Sequence, residues 1–245
     1  MKTLHGVQNW VGGLLLASAA GFTVASGVLS STFDWPDILR EPAPVVLASF
    51  HAGGPSLVWT WFAVAWTYAL VGVPMSMMSA ALGRGTDPVL RTAGAIGAAS
   101  ALLSLIGFLR WVFVVPALAG SWAAGDTAAR PAIEAAWTAR HQFGGALLGE
   151  HLGQVLAIVW SATVSVVVLR SGALPHWIGW SGLAASALYL LNQGDVLATA
   201  VPGVPVWEPA GLIGGTAWGL WVAAVGVVLI ARRHSASTGS IRVAR

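Results

Sequence analysis

Cysteine is absent from the 245 residues. Disulfides, thiolate nucleophiles, zinc–thiolate sites and iron–sulfur clusters are excluded with it. Charge is also scarce. Only 9% of residues are Asp, Glu, Lys or Arg, against roughly 25% in an ordinary soluble domain. Lysine occurs once, as Lys2, so a lysine Schiff base inside an apolar run is ruled out. The chain contains no HExxH, no GxxxxGK[ST], no GxSxG in a strand–turn–helix setting and no paired-aspartate prenyltransferase motif. With so few charges, the pI of about 10.2 does not point to nucleic acid, and no nucleic-acid partner is expected.

What the chain does hold is apolar. Hydrophobic residues make up 56% of it and the mean hydropathy is +0.76, values that belong to a multi-pass membrane protein. Crossing a bilayer takes roughly 20 apolar residues. Six segments meet that length, near 10–31, 57–82, 92–121, 142–169, 177–198 and 209–231. Their ends carry breakers: Gly83 and Gly85, Asp87-Pro88, Leu174-Pro175 and Glu208-Pro209. The expectation is an all-α, polytopic transmembrane bundle formed by residues 1–231. A disordered basic cytoplasmic tail, 232–245, is expected to follow. "ASAAG" in the first segment looks cleavable, but a retained first helix is the simpler reading.

Basic residues in short loops mark the cytoplasmic side. With the N-terminus inside, Lys2, Arg84, Arg91, Arg170, Arg232, Arg233, Arg242 and Arg245 lie inside, while Arg40, Arg130 and Arg140 lie outside. That bias predicts both termini in the cytoplasm. Arginine in place of lysine, with abundant Ala and Gly, suggests a bacterial source and hence the inner membrane. Two longer connections, 32–56 and 122–141, fall on the outer side. The apolar run Pro44–Phe50 in the first is too short to span and is expected at the interface or re-entering. "SFHAGGPS" reads as a kink.

Polar residues inside apolar spans are costly and are functional by default. At about 1.5 Å per residue, Glu150 sits roughly 12 Å below the outer surface, and Arg110 falls in the outer third of its span. His151, Gln154, Asn192 and Gln193 share that layer. Gly145, Gly149 and Gly153 recur every four residues, a stripe that admits a neighbouring helix. Glu150 and Gln154 form the adjacent stripe. On a regular helix His141 falls about opposite Glu150, at the rim. The simplest account of the charges is an Arg110–Glu150 ion pair. Such a network either serves a ligand or merely holds helix register.

The sequence has 14 tryptophans. Trp10, Trp35, Trp122, Trp137, Trp177, Trp180 and Trp207 fit interfacial belts. Each remaining one fits packing by itself, but Trp59, Trp61, Trp66, Trp111 and Trp218, in the outer part of their spans, together could line a π-rich cavity near Arg110 and Glu150. Only His151 lies well within a span, so neither haem nor metal is expected, and no cofactor is implied.

"LPHWIGWSGLAASALYLL", at 174–191, resembles the pattern Pro-x-Trp-[Leu/Ile]-x-x-x-Gly-Leu of a bacterial six-span membrane family catalogued only as a domain of unknown function. The similarity extends through "VPGVPVWEP" to the last helix, covering 174–231. It implies the six-span architecture and transfers no catalytic residue.

Two functions remain open from the sequence. One is a membrane protein that binds, senses or moves a small or lipid-like ligand through an outward polar and aromatic cavity. Its lining would be Arg110, Glu150, His151, Gln154, Asn192, Gln193, Trp111, Trp61 and Trp66. The other is an intramembrane acid–base enzyme, an isomerase or cyclase, with Glu150 as general acid and His151 as proton relay.

Overall fold

The computed structural model describes residues 2–242, with side chains from 4 to 232. Helices and turns account for all regular structure among them, and no strand is present. The order is α1 (Lys2–Phe33), a 3-10 turn (Asp37–Arg40), α2 (Ala43–Ala69), α3 (Gly72–Ala81), α4 (Pro88–Phe113), α5 (Val115–Ala124) and α6 (Arg130–Arg140). A π-helical stretch (His141–Leu152) then leads into α7 (Gly153–Ser171), α8 (His176–Leu191), α9 (Gln193–Ala198) and α10 (Ala210–Arg242).

Five helical stretches are long and apolar enough to cross a membrane: Leu4–Phe33, Ala43–Ala81, Pro88–Ala124, Arg130–Ser171 and Ala210–Arg232. The expected span at 177–198 corresponds to α8 and α9. It is broken at Asn192, which leaves α8 with 16 residues, about 24 Å of helix at 1.5 Å per residue. At the other terminus α10 continues to Arg242, over most of the stretch expected as a tail. The remainder of that expectation, 243–245, lies outside the described residues.

Local chemistry places the breaks. Asp87 caps α4, its carboxylate accepting from the backbone N–H groups of Val89 at 3.0 Å and Leu90 at 3.3 Å. Pro88 takes the first helical position, where a missing N–H costs nothing. Gly54 has φ 58° and ψ −156°, a conformation open to glycine. With Pro55 behind it, Gly54 kinks α2 where the sequence suggested. The short run Pro44–Phe50 is helical, and Val46, Leu47 and Phe50 are buried. Its inner face therefore belongs to the core, while Val45 stays 43% exposed.

Consecutive long helices run antiparallel, so α5, α6, α9 and the 3-10 turn gather at the end of the bundle away from the N-terminus. The apolar core has two parts. One joins α1, α3, α4, α7, α8 and α10 around Trp160, Met75, Ile178 and Trp221. The other lies at the α5–α6 end and joins Phe33, Ile38, Phe50, Trp61, Trp111 and Trp137. Polar threads cross the first core. Trp221 donates to the Ile178 carbonyl at 2.8 Å, and Ser161 meets Ser186 at 2.8 Å.

Helices α4 and α7 touch along the glycine stripe. A Cβ on Gly107 would lie 2.6 Å from the Gly149 Cα, and one on Gly153 would lie 2.4 Å from Ser104 Oγ. Backbones this close let small residues make interhelical hydrogen bonds. Ser100 donates to the Gly153 carbonyl at 2.6 Å.

Candidate functional site

The π-helix is the element that builds the site. Its i→i+5 bonding adds a residue to each turn and is frequent at functional sites. It also alters which residues share a face, so a regular-helix projection from His141 to Glu150 does not hold. His141 is buried rather than placed at the rim. Its ring stacks on Trp137 with centroids 5.0 Å apart and planes at 29°. Trp137 is itself 4% exposed and belongs to the core, not to a surface belt.

Glu150 does not take Arg110 as its hydrogen-bonded partner. Its Oε2 accepts from Arg40 Nη2 at 2.7 Å. The same arginine donates to Asp195 Oδ2, from Nη2 at 2.7 Å and from Nε at 3.0 Å. Arg40 lies in the 3-10 turn and Asp195 in α9, so one guanidinium ties three elements together. Arg40 had counted only as an outer-loop charge. It is nonetheless the sole base within the acidic stretch 34–41, and a buried acid in the same layer needs such a base. Arg40 is held more strongly protonated than an ordinary arginine. Burial opposes this, and the two carboxylates outweigh it.

Arg110 turns elsewhere. Its Nη1 donates to the Gly107 carbonyl, and its Nη2 stands 3.4 Å from His141 Nδ1. Because a guanidinium can only donate, that ring nitrogen is the acceptor. The guanidinium carbon is 5.1 Å from the centre of the Trp111 ring, within cation–π range. Gly145 makes the room, since a Cβ there would fall 2.5 Å from Nη2.

The amides converge as expected. His151 Nδ1 donates to Gln193 Oε1 at 2.7 Å. Gln193 and Asn192 each donate to Gln154 Oε1 at 2.9 Å. Asn192 and Gln193 occupy the α8–α9 break, so the interruption presents both amides to the π-helix and α7. Gln142 and Thr199 extend the network with a 3.3 Å bond. Among the described residues seven buried side-chain atoms have no hydrogen-bond partner, and two of them belong to this cluster, Glu150 Oε1 and Arg110 Nε.

The tryptophans do not line an open cavity. Trp61 and Trp111 are both 0% exposed. They stack on each other with centroids 4.5 Å apart and planes at 3°, and Phe33, Phe50 and Phe108 pack around them. Trp66 is 50% exposed and lies on an outer ridge with Phe62. Aromatic count had suggested a cavity. Ring stacking, which rewards filling the space, closes it. The site is therefore polar, with an aromatic wall on one side. Among the described residues, no group of three or more His, Asp or Glu is arranged to hold a metal ion.

Residues 10–226 match the family described as a domain of unknown function (DUF4386), and the chain belongs to that family. The match takes in every member of the polar cluster, from Arg40 through Thr199, and extends well beyond the C-terminal part that first carried the resemblance. No curated protein and no solved structure gives a significant match.

Proposed function

We propose that this chain is a multi-pass inner-membrane protein that binds a small or lipid-like ligand at the polar cluster of its outer end, to sense it or pass it on. The observation that carries this reading is the pair of buried, unpartnered atoms, Glu150 Oε1 and Arg110 Nε. Buried polar groups in native proteins nearly always have partners. Here an orphan acceptor and an orphan donor occur in two neighbouring groups, Glu150 with Arg40 and Arg110 with His141, and a polar ligand group would satisfy them. In the proposed topology α8 and α9 form the sixth crossing, both termini are cytoplasmic, and the host is bacterial. The basic-residue bias supports that orientation.

The Arg40 contact counts against the acid–base alternative. Glu150 Oε2 is taken up by the Arg40 guanidinium, so that oxygen is not free to hand a proton to a substrate. His151 is engaged with Gln193, which leaves it poorly placed as a relay from Glu150.

The test uses protein in lipid nanodiscs, titrated with fractions of a bacterial polar-lipid and metabolite extract. Tryptophan fluorescence is the readout, since Trp111 and Trp137 adjoin Arg110 and His141. A saturable change that is lost in Glu150→Gln and Arg110→Gln supports the proposal. No saturable change with any fraction overturns it. A new product in cells expressing wild type, absent with Glu150→Gln, would favour the enzyme instead.

A further inference from the structure

Between α1 and α2 the chain crosses the site as a short strap. Asp34 turns it with φ 52°, and the Ile38 N–H closes the turn onto the Asp34 carbonyl at 2.9 Å. Three consecutive residues then attach it. Ile38 is 4% exposed and packs into the aromatic core. Leu39 packs against the same aromatic core. Arg40 bridges Glu150 and Asp195. The strap thus runs from the aromatic core to Glu150 of the π-helix and Asp195 of α9.

These attachments differ in kind. The Ile38 contact is apolar and tolerates sliding. The Arg40 contacts are directional and exposed enough to exchange, the arginine side chain being 29% exposed and Asp195 33%. An acidic group arriving from outside would compete with Glu150 and Asp195 for the same guanidinium. The orphan Glu150 Oε1 lies on the carboxylate that Arg40 holds, and the orphan Arg110 Nε in the neighbouring group.

We propose that the strap 34–42 is a lid latched by Arg40, and that an anionic ligand group opens it by exchanging with Glu150 and Asp195. This rests on the ligand-binding reading for what the lid admits. The latch itself is tested without any ligand. Segments of low local stability open independently of the whole fold.

The absence of native cysteine makes the experiment direct. Ile38→Cys is placed alone in the chain, in nanodiscs, and labelled with a membrane-impermeant maleimide. Ala119→Cys, 1% exposed in the same core, reports on unfolding of that end, and Asp37→Cys reports on intrinsic reactivity. Each is combined with Arg40→Gln and with Arg40→Lys. The latch predicts that Arg40→Gln speeds Ile38→Cys labelling about tenfold, the factor that corresponds to about 1.4 kcal/mol of closure. Ala119→Cys stays protected, and Arg40→Lys restores most of the protection. Unchanged labelling of Ile38→Cys overturns the latch, because packing alone would then hold the strap. Equal acceleration at Ala119→Cys also overturns it, because the whole end would then have loosened. Inorganic phosphate and acetate added to the wild-type background test the exchange. Acceleration with either supports it, and no acceleration with both overturns the anion-driven opening.

Discussion

Arg40 and Glu150 are 110 positions apart in the chain and meet at 2.7 Å. A loop residue thereby neutralises an acid that sits in the middle of a helical stretch long and apolar enough to cross a membrane. The same guanidinium reaches Asp195, so three chain segments depend on one side chain.

Coupling energies should rank with burial. A double-mutant cycle with Arg40→Gln and Glu150→Gln should give about 1.5–3 kcal/mol, the range of hydrogen bonds to charged groups. The matching cycle with Asp195→Asn should give less than about 1 kcal/mol, because solvent screens that pair more. Thermal unfolding in nanodiscs checks both. A larger coupling for Asp195 would reverse the assignment of Glu150 as the principal partner.

The crossing of α4 with the π-helix should be intolerant of a single methyl group. Gly107→Ala sets a Cβ 2.6 Å from the Gly149 Cα, and backbone cannot swing aside as a side chain can. A loss of about 1–3 kcal/mol is expected, the usual cost of overpacking. Gly13→Ala meets nothing within 4 Å and should be neutral or stabilising by about 0.5–1 kcal/mol. Similar shifts in melting temperature for the two would contradict this account.

Trp111 and Trp66 should behave differently, although both were candidates for one cavity. Trp111→Ala empties a stacked, fully buried position and should cost about 3–5 kcal/mol. Trp66→Ala should cost less than about 1 kcal/mol, as at other exposed positions. The fluorescence emission maximum should shift accordingly, since of these two only Trp111 lies in the packed interior.

The loop before α4 carries a pH signature. The Arg84 side chain, with help from the Leu90 and Val89 amides, holds the Asp87 carboxyl below the usual carboxylate range. A group with a depressed folded value stabilises the fold above its ordinary titration range, and this contribution is lost as pH falls through the folded value. Melting temperature should therefore decline on acidification more steeply in wild type than in Asp87→Asn. Parallel acid limbs would remove Asp87 from the explanation.

Several features of the site were legible in the residues. The convergence of His151, Gln154, Asn192 and Gln193 followed from depth alone, because helices that alternate in direction bring residues at equal depth into one layer. The glycine stripe announced a close neighbour in the same way, by spacing. The partner of Glu150 did not follow. Depth ranks Arg110 as the nearest base in a helix, but Arg40 lies in a connection whose path has no period to read. His141 was misplaced because a period of 3.6 was applied across a π-helix, and the change of period has no simple residue signature.

The sequence by itself determined the helical class, the apolar lengths and breaks of the helices and the layer in which the polar residues collect. Those follow from local quantities: hydropathy, rise per residue, and the backbone limits of Gly and Pro. Tertiary structure alone decided that Arg40 closes on Glu150 and Asp195, that Arg110 turns to His141, and that Trp61 and Trp111 fill space instead of enclosing it. Each of these depends on how segments distant in the chain pack side by side. Ion pairing and ring stacking act over a few ångströms of space, without regard to separation along the chain.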